Sequence, residues 1–127
     1  MFRQLELLHL WCLYTFENAP KSAPIQEDVK LLIENVVNAQ SAVAMALTTT
    51  SPTQRLDFLD MVVMCMANIK SITKVLTEYS SVSKSRVISK SSRVRLLELM
   101  TQIGCELGSW RNKTAGKISK SVASAPN

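Results

Sequence analysis

Three short interruptions decide what this chain can become. "NAPKSAP" (18–24) holds two prolines, "TTTSPT" (48–53) holds one among hydroxyl residues, and "SSVSKSRVISKSS" (80–92) is rich in serine and positive charge. Proline removes a backbone donor and clashes with the preceding turn, and serine competes for backbone partners, so helices end at such places. Between the interruptions apolar residues recur at helical spacing, and no stretch alternates as a strand does. Only three glycines occur in 127 residues that are 46% apolar, which fits an ordered helical protein of one domain.

The first helix is expected over residues 2–17 and is apolar almost all round, with Leu5, Leu7, Leu8, Leu10, Trp11 and Leu13. The second starts near Pro24, a residue suited to a first helical turn, and Glu27 and Asp28 are expected in that turn, where the helix dipole favours acid. Its stripe is Ile25, Val29, Leu32, Val36, Val43 and Leu47, while Asn35, Asn38, Gln40 and Ser41 have no evident destination. The third has the clearest start. Ser51 can cap it, Pro52 follows, and Gln54 completes an S-x-x-Q capping box. Its stripe runs from Leu56 through Leu59, Val63, Met66, Ile69 and Ile72 to Leu76, with Phe58, Val62 and Cys65 widening it, and the helix is expected to end about Tyr79. The fourth begins near Ser89 or Ser91 and is expected to close at Trp110.

The expected fold is all-α, an antiparallel up-down-up-down four-helix bundle over residues 1–111, followed by a short disordered basic tail over 112–127. A bundle helix needs one apolar stripe, and the first and third exceed that, so an apolar flank is expected to meet another subunit. Gly104 and Gly108 share one face of the fourth helix, where they would let a neighbouring backbone approach closely. A large residue at Gly104 is then expected to destabilise the chain, and Trp110 is expected to be packing.

Chemistry is sparse. His9 is the single histidine and sits on an apolar helix, which suits a packed histidine better than a general base. Cys12, Cys65 and Cys105 are odd in number, scattered and set among apolar residues, the usage of buried thiols in a reducing compartment rather than of disulfides or zinc. No phosphate loop, nucleophile elbow or metal-binding cluster is visible. Asp57 and Asp60 read as a solvated face. The chain is therefore expected to be no enzyme, to need no cofactor and no metal, and to be cytoplasmic. The opening "MFRQLELLHLWCLY" is broken by Glu6 and His9 and lacks a cleavage site, and no other run approaches the roughly 18 apolar residues a membrane span requires.

Charge is the informative feature. Residues 1–69 hold four Lys/Arg against seven Asp/Glu, a net of −3, and residues 70–127 hold eleven against three, a net of +8. Such segregation points to a polyanionic partner, nucleic acid or an acidic surface. Lys70 and Lys74 are four apart and emerge on one side of the third helix. Lys84, Arg86, Lys90, Arg93 and Arg95 follow, then Arg111, Lys113, Lys117 and Lys120. Arg93 and Arg95 cannot point the same way, but a bundle edge could gather one of them with Lys70 and Lys74. No aromatics interleave with these cations, which argues against base stacking.

"IGCELGSW" (103–110) resembles the end of the last helix in the accessory variability determinants (Avd) of diversity-generating retroelements. "LYTFENAPKS" (13–22) is similar to that family's aromatic first helix and proline-basic loop. "LDFLDMVVMCMANIKSITKVL" (56–76) is similar to its third helix, with Lys70 and Lys74 on the family's two basic positions. The likeness extends from the first helix to Trp110. It implies a basic homopentamer without catalysis of its own, bound to a reverse transcriptase and its template RNA in support of mutagenic cDNA synthesis. Lys70, Lys74, Arg93, Arg95, Arg111 and Lys113 are then the expected contacts to phosphate or an acidic partner. The alternative is a four-helix-bundle interaction protein of the ribosomal-RNA intervening-sequence type, whose basic face docks an acidic protein.

Overall fold

A computed structural model of the chain describes residues 1–17, 19, 21–83 and 88–123, and among them it is all-helical, with no strand. The helices are α1 (Phe2–Thr15), α2 (Ala23–Thr48), α3 (Pro52–Ser83) and α4 (Lys90–Ala123). Lys84 and Arg86 lie outside the described residues.

Side-chain caps open α3 and α4, while α1 and α2 start without one. The Ser51 hydroxyl accepts from the Gln54 backbone N–H at 3.3 Å, as the capping box requires. The return arm takes a different route: the Thr49 hydroxyl accepts from the Ser51 N–H (3.3 Å) and donates to the Gln54 side chain (2.9 Å). Ser89 caps α4 in the same way, accepting from the Ser92 N–H at 3.2 Å. At α2 the helix begins at Ala23 behind Ser22, so Glu27 and Asp28 fall beyond the first turn, where the dipole has faded. Arg55, which no local sequence pattern singles out, closes the end of α2. The Arg55 Nε donates to the Ala46 carbonyl (3.0 Å) and its Nη2 to that of Thr49 (2.8 Å), satisfying acceptors that the helix end leaves open.

The principal correction lies at Trp110. α4 does not give way there to a tail but continues to Ala123. Nothing from Arg111 to Val122 stops a helix except Gly116, and the Thr114 side chain is buried, its hydroxyl bonded to the Trp110 carbonyl at 2.8 Å. The end of the expected tail, residues 124–127, lies outside the described residues.

Each helix packs on two others: α1 on α2 and α4, and α3 on α2 and α4. The core runs down the middle through Leu5, Leu8, Leu32, Val36, Leu59, Ile69, Leu99 and Ile103, all closed to solvent. Each such aliphatic side chain contributes roughly 1.5–3 kcal/mol through burial. Ala39, Ala42 and Ala46 are buried on α2. Polar bonds tie the helices pairwise. Trp11 Nε1 donates to the Ser92 carbonyl at 2.8 Å, and Gln4 to Glu106 at 3.2 Å. Asn35, whose place the sequence left open, is buried on α2. It donates to the Leu31 carbonyl (2.9 Å) and accepts from Asn68 of α3 (3.1 Å).

Two expectations about α2 and α4 need correction. α2 is long and apolar enough over Pro24–Thr48 to cross a bilayer by length and composition alone. Its Leu32, Val36, Ala39 and Val43 face is buried against the other helices, and 39% of the segment is covered within the bundle. On α4, a Cβ placed on Gly104 or Gly108 meets no atom within 4 Å. The glycines point away from the chain's own helices, so they do not serve close packing within it.

Candidate nucleic-acid and partner interface

α3 and α4 lie side by side, and the groove between them gathers three of the expected cations. Lys70 and Lys74 line it from α3 and Arg93 from α4, enclosing about 300 Å³ together with Thr73, Thr77, Glu78, Leu96, Leu97 and Met100. The spacing explains the gathering: residues four apart stack on one helix face, and Arg93 lies in the first turn of the neighbouring helix. All three cations are exposed. Among the described residues no carboxylate pairs with any of their side chains. The floor is aliphatic, with Leu96 buried, Met100 half-buried and Leu97 57% exposed. Both threonine hydroxyls turn back onto α3: Thr73 donates to the carbonyls of Ile69 (2.9 Å) and Lys70 (3.0 Å), and Thr77 to that of Thr73 (2.8 Å).

The other three cations lie elsewhere. Arg95 faces away from Arg93, as a two-residue separation requires. It pairs with Glu98 one turn on at 3.3 Å and lines a separate apolar groove with Leu10, Leu13 and Tyr14 of α1. Arg111 is engaged inside the chain: its Nε (3.0 Å) and Nη2 (2.6 Å) both donate to one carboxylate oxygen of Asp60. Asp60, read as a solvated carboxylate, is half exposed and also links α3 to the far half of α4. Lys113 is exposed on the rim of a cleft with Phe2, Leu47 and Trp110. It lies 20 residues beyond Arg93 along α4, about 30 Å at the helical rise of ~1.5 Å per residue. The six candidates thus fall into a trio in one groove and three residues in three other settings.

Among the described residues no three His, Cys, Asp or Glu side chains converge as a metal site would need. Cys12 is fully buried, and burial pushes its thiol up to about 12 from the usual 9.0. Burial also raises Cys65, which is only partly covered, while Cys105 is exposed, against the expectation that all three thiols are buried. His9 is half-buried on α1.

No protein family, curated protein or solved structure matches this chain.

Proposed function

We propose that this chain is a non-catalytic accessory protein of the kind its sequence resembles, a cytoplasmic subunit that binds a retroelement reverse transcriptase and its template RNA through basic surfaces. The observation that carries the reading is the α3/α4 groove, where Lys70, Lys74 and Arg93 converge with no carboxylate paired to their side chains among the described residues, in the half of the chain that holds a net +8. Unpaired cations held together on a rigid scaffold are a standing attraction for a polyanion.

The helices are arranged up-down-up-down. The pairs Gln4–Glu106 and Trp11–Ser92 support this for α1 and α4, since position rises on one helix as it falls on the other. Asn35–Asn68 with Ala46–Arg55 do the same for α2 and α3. Self-association, with five copies as the resemblance implies, is supported by exposed apolar side chains on the two over-apolar helices. Leu10, Leu13 and Tyr14 are 57%, 51% and 82% exposed on α1, and Met61 and Met64 are 50% and 67% exposed on α3. Faces of this kind mark contacts to another protein surface.

The test is filter binding of random-sequence single-stranded RNA across a salt series. Each phosphate contact contributes about 0.7 to the slope of log affinity against log salt, so binding through basic surfaces gives a negative slope that counts the phosphates engaged. Affinity that stays flat with salt, or no binding at all, would remove the nucleic-acid part of the reading. A reverse transcriptase and a pair of near-repeats encoded beside the gene are expected as well, and a ribosomal RNA gene in their place would count against it.

A further inference from the structure

Resting on the reading above, we propose that the α3/α4 groove receives a protein, an acidic amphipathic helix of a partner, and not RNA. Its cations attract either ligand; the rest of the lining discriminates between them. The floor of Leu96, Leu97 and Met100 offers aliphatic and thioether surface and no aromatic ring on which a base could stack. An amphipathic helix instead lays an apolar stripe on such a floor while its flanking carboxylates meet Lys70, Lys74 and Arg93.

The polar groups of the groove agree. The hydroxyl protons of Thr73 and Thr77 are committed to α3 carbonyls, so neither is left to donate to a phosphate. Glu78 lines the same groove. Its carboxylate would repel a phosphate backbone, whereas a protein helix can place a lysine or an uncharged side chain against it. RNA phosphates are then left to the exposed Lys113 and Lys117 in the last turns of α4.

The experiment uses the full chain and two labelled probes. One is an 18-residue peptide with leucines at helical i, i+3, i+4, i+7 spacing and glutamates on both flanks, and the other is a 20-nucleotide single-stranded RNA of random sequence. Fluorescence anisotropy is measured for the parent, Lys70→Glu/Lys74→Glu, Leu97→Ser and Lys113→Glu. Leu97 is exposed, so its variant keeps the fold, which circular dichroism confirms. Peptide affinity is expected to fall about tenfold or more in the lysine pair and severalfold in Leu97→Ser, and to hold in Lys113→Glu. RNA affinity is expected to ignore Leu97→Ser and to fall in Lys113→Glu. A peptide that does not bind or does not sense Leu97→Ser overturns the proposal, as does RNA that displaces the peptide one for one. Peptide binding that survives while the parent binds no RNA would keep the groove assignment and sink the nucleic-acid part of the functional reading.

Discussion

Replacing Gly104 and Gly108 together by alanine reports directly on how α4 is packed. Both lie inside a continuous helix, Lys90–Ala123, and both would carry a Cβ into open space, with no atom within 4 Å. Each glycine costs a helix interior about 1 kcal/mol relative to alanine, because it loses more backbone freedom on folding. With no neighbour to push aside, the double variant is expected to gain about 2 kcal/mol. For a domain of this size that raises Tm by about 6–8 °C. Thermal melts followed at 222 nm, at two protein concentrations tenfold apart, supply the measurement. A fall in Tm at both concentrations would refute the reasoning, because some part of the same chain would then occupy the space. A fall seen only at the higher concentration would place another subunit's backbone against this face. The sequence alone pointed the opposite way, toward a strong loss on enlarging Gly104, so the measurement separates the two accounts by sign.

Two further outcomes concern stability within the bundle. Ser51→Ala should cost about 1 kcal/mol in urea unfolding, because the Gln54 N–H loses the hydroxyl that caps it at 3.3 Å; an unchanged midpoint would show that the Thr49 relay alone holds the turn. Cys12, held protonated by burial with its thiol at about 12 against the usual 9.0, favours the folded state fully below pH 9. That contribution drains away as pH rises from 9 toward 12, because the unfolded chain releases the proton first. Urea midpoints at pH 8 and pH 10.5 should therefore drop further in the parent than in Cys12→Ala. Equal drops would mean that the thiol ionises freely in the folded chain.

Sequence determined the local layer of this protein. Apolar spacing and the three proline- or serine-rich breaks set four helices, because the 3.6-residue period and the capping chemistry of Ser51 and Ser89 are written in neighbouring residues. The pairing of Lys70 with Lys74 was equally legible, since four residues make one helical turn. What lay outside the reach of periodicity was anything set by the helix alongside. Arg111 reads as a free cation until α3 brings Asp60 to 2.6 Å, and Arg55 carries no signal until the turn sets the Ala46 and Thr49 carbonyls against it. The continuation of α4 past Trp110 was hidden for a related reason, because a weakly apolar segment declares itself only when a neighbour buries Thr114. Arg93, not Arg95, joins the two lysines because the rotation of α4 about its axis is fixed by Leu96, Leu99 and Ile103 entering the core. Spacing along one helix fixes angles within it, and only packing between helices fixes which cations meet.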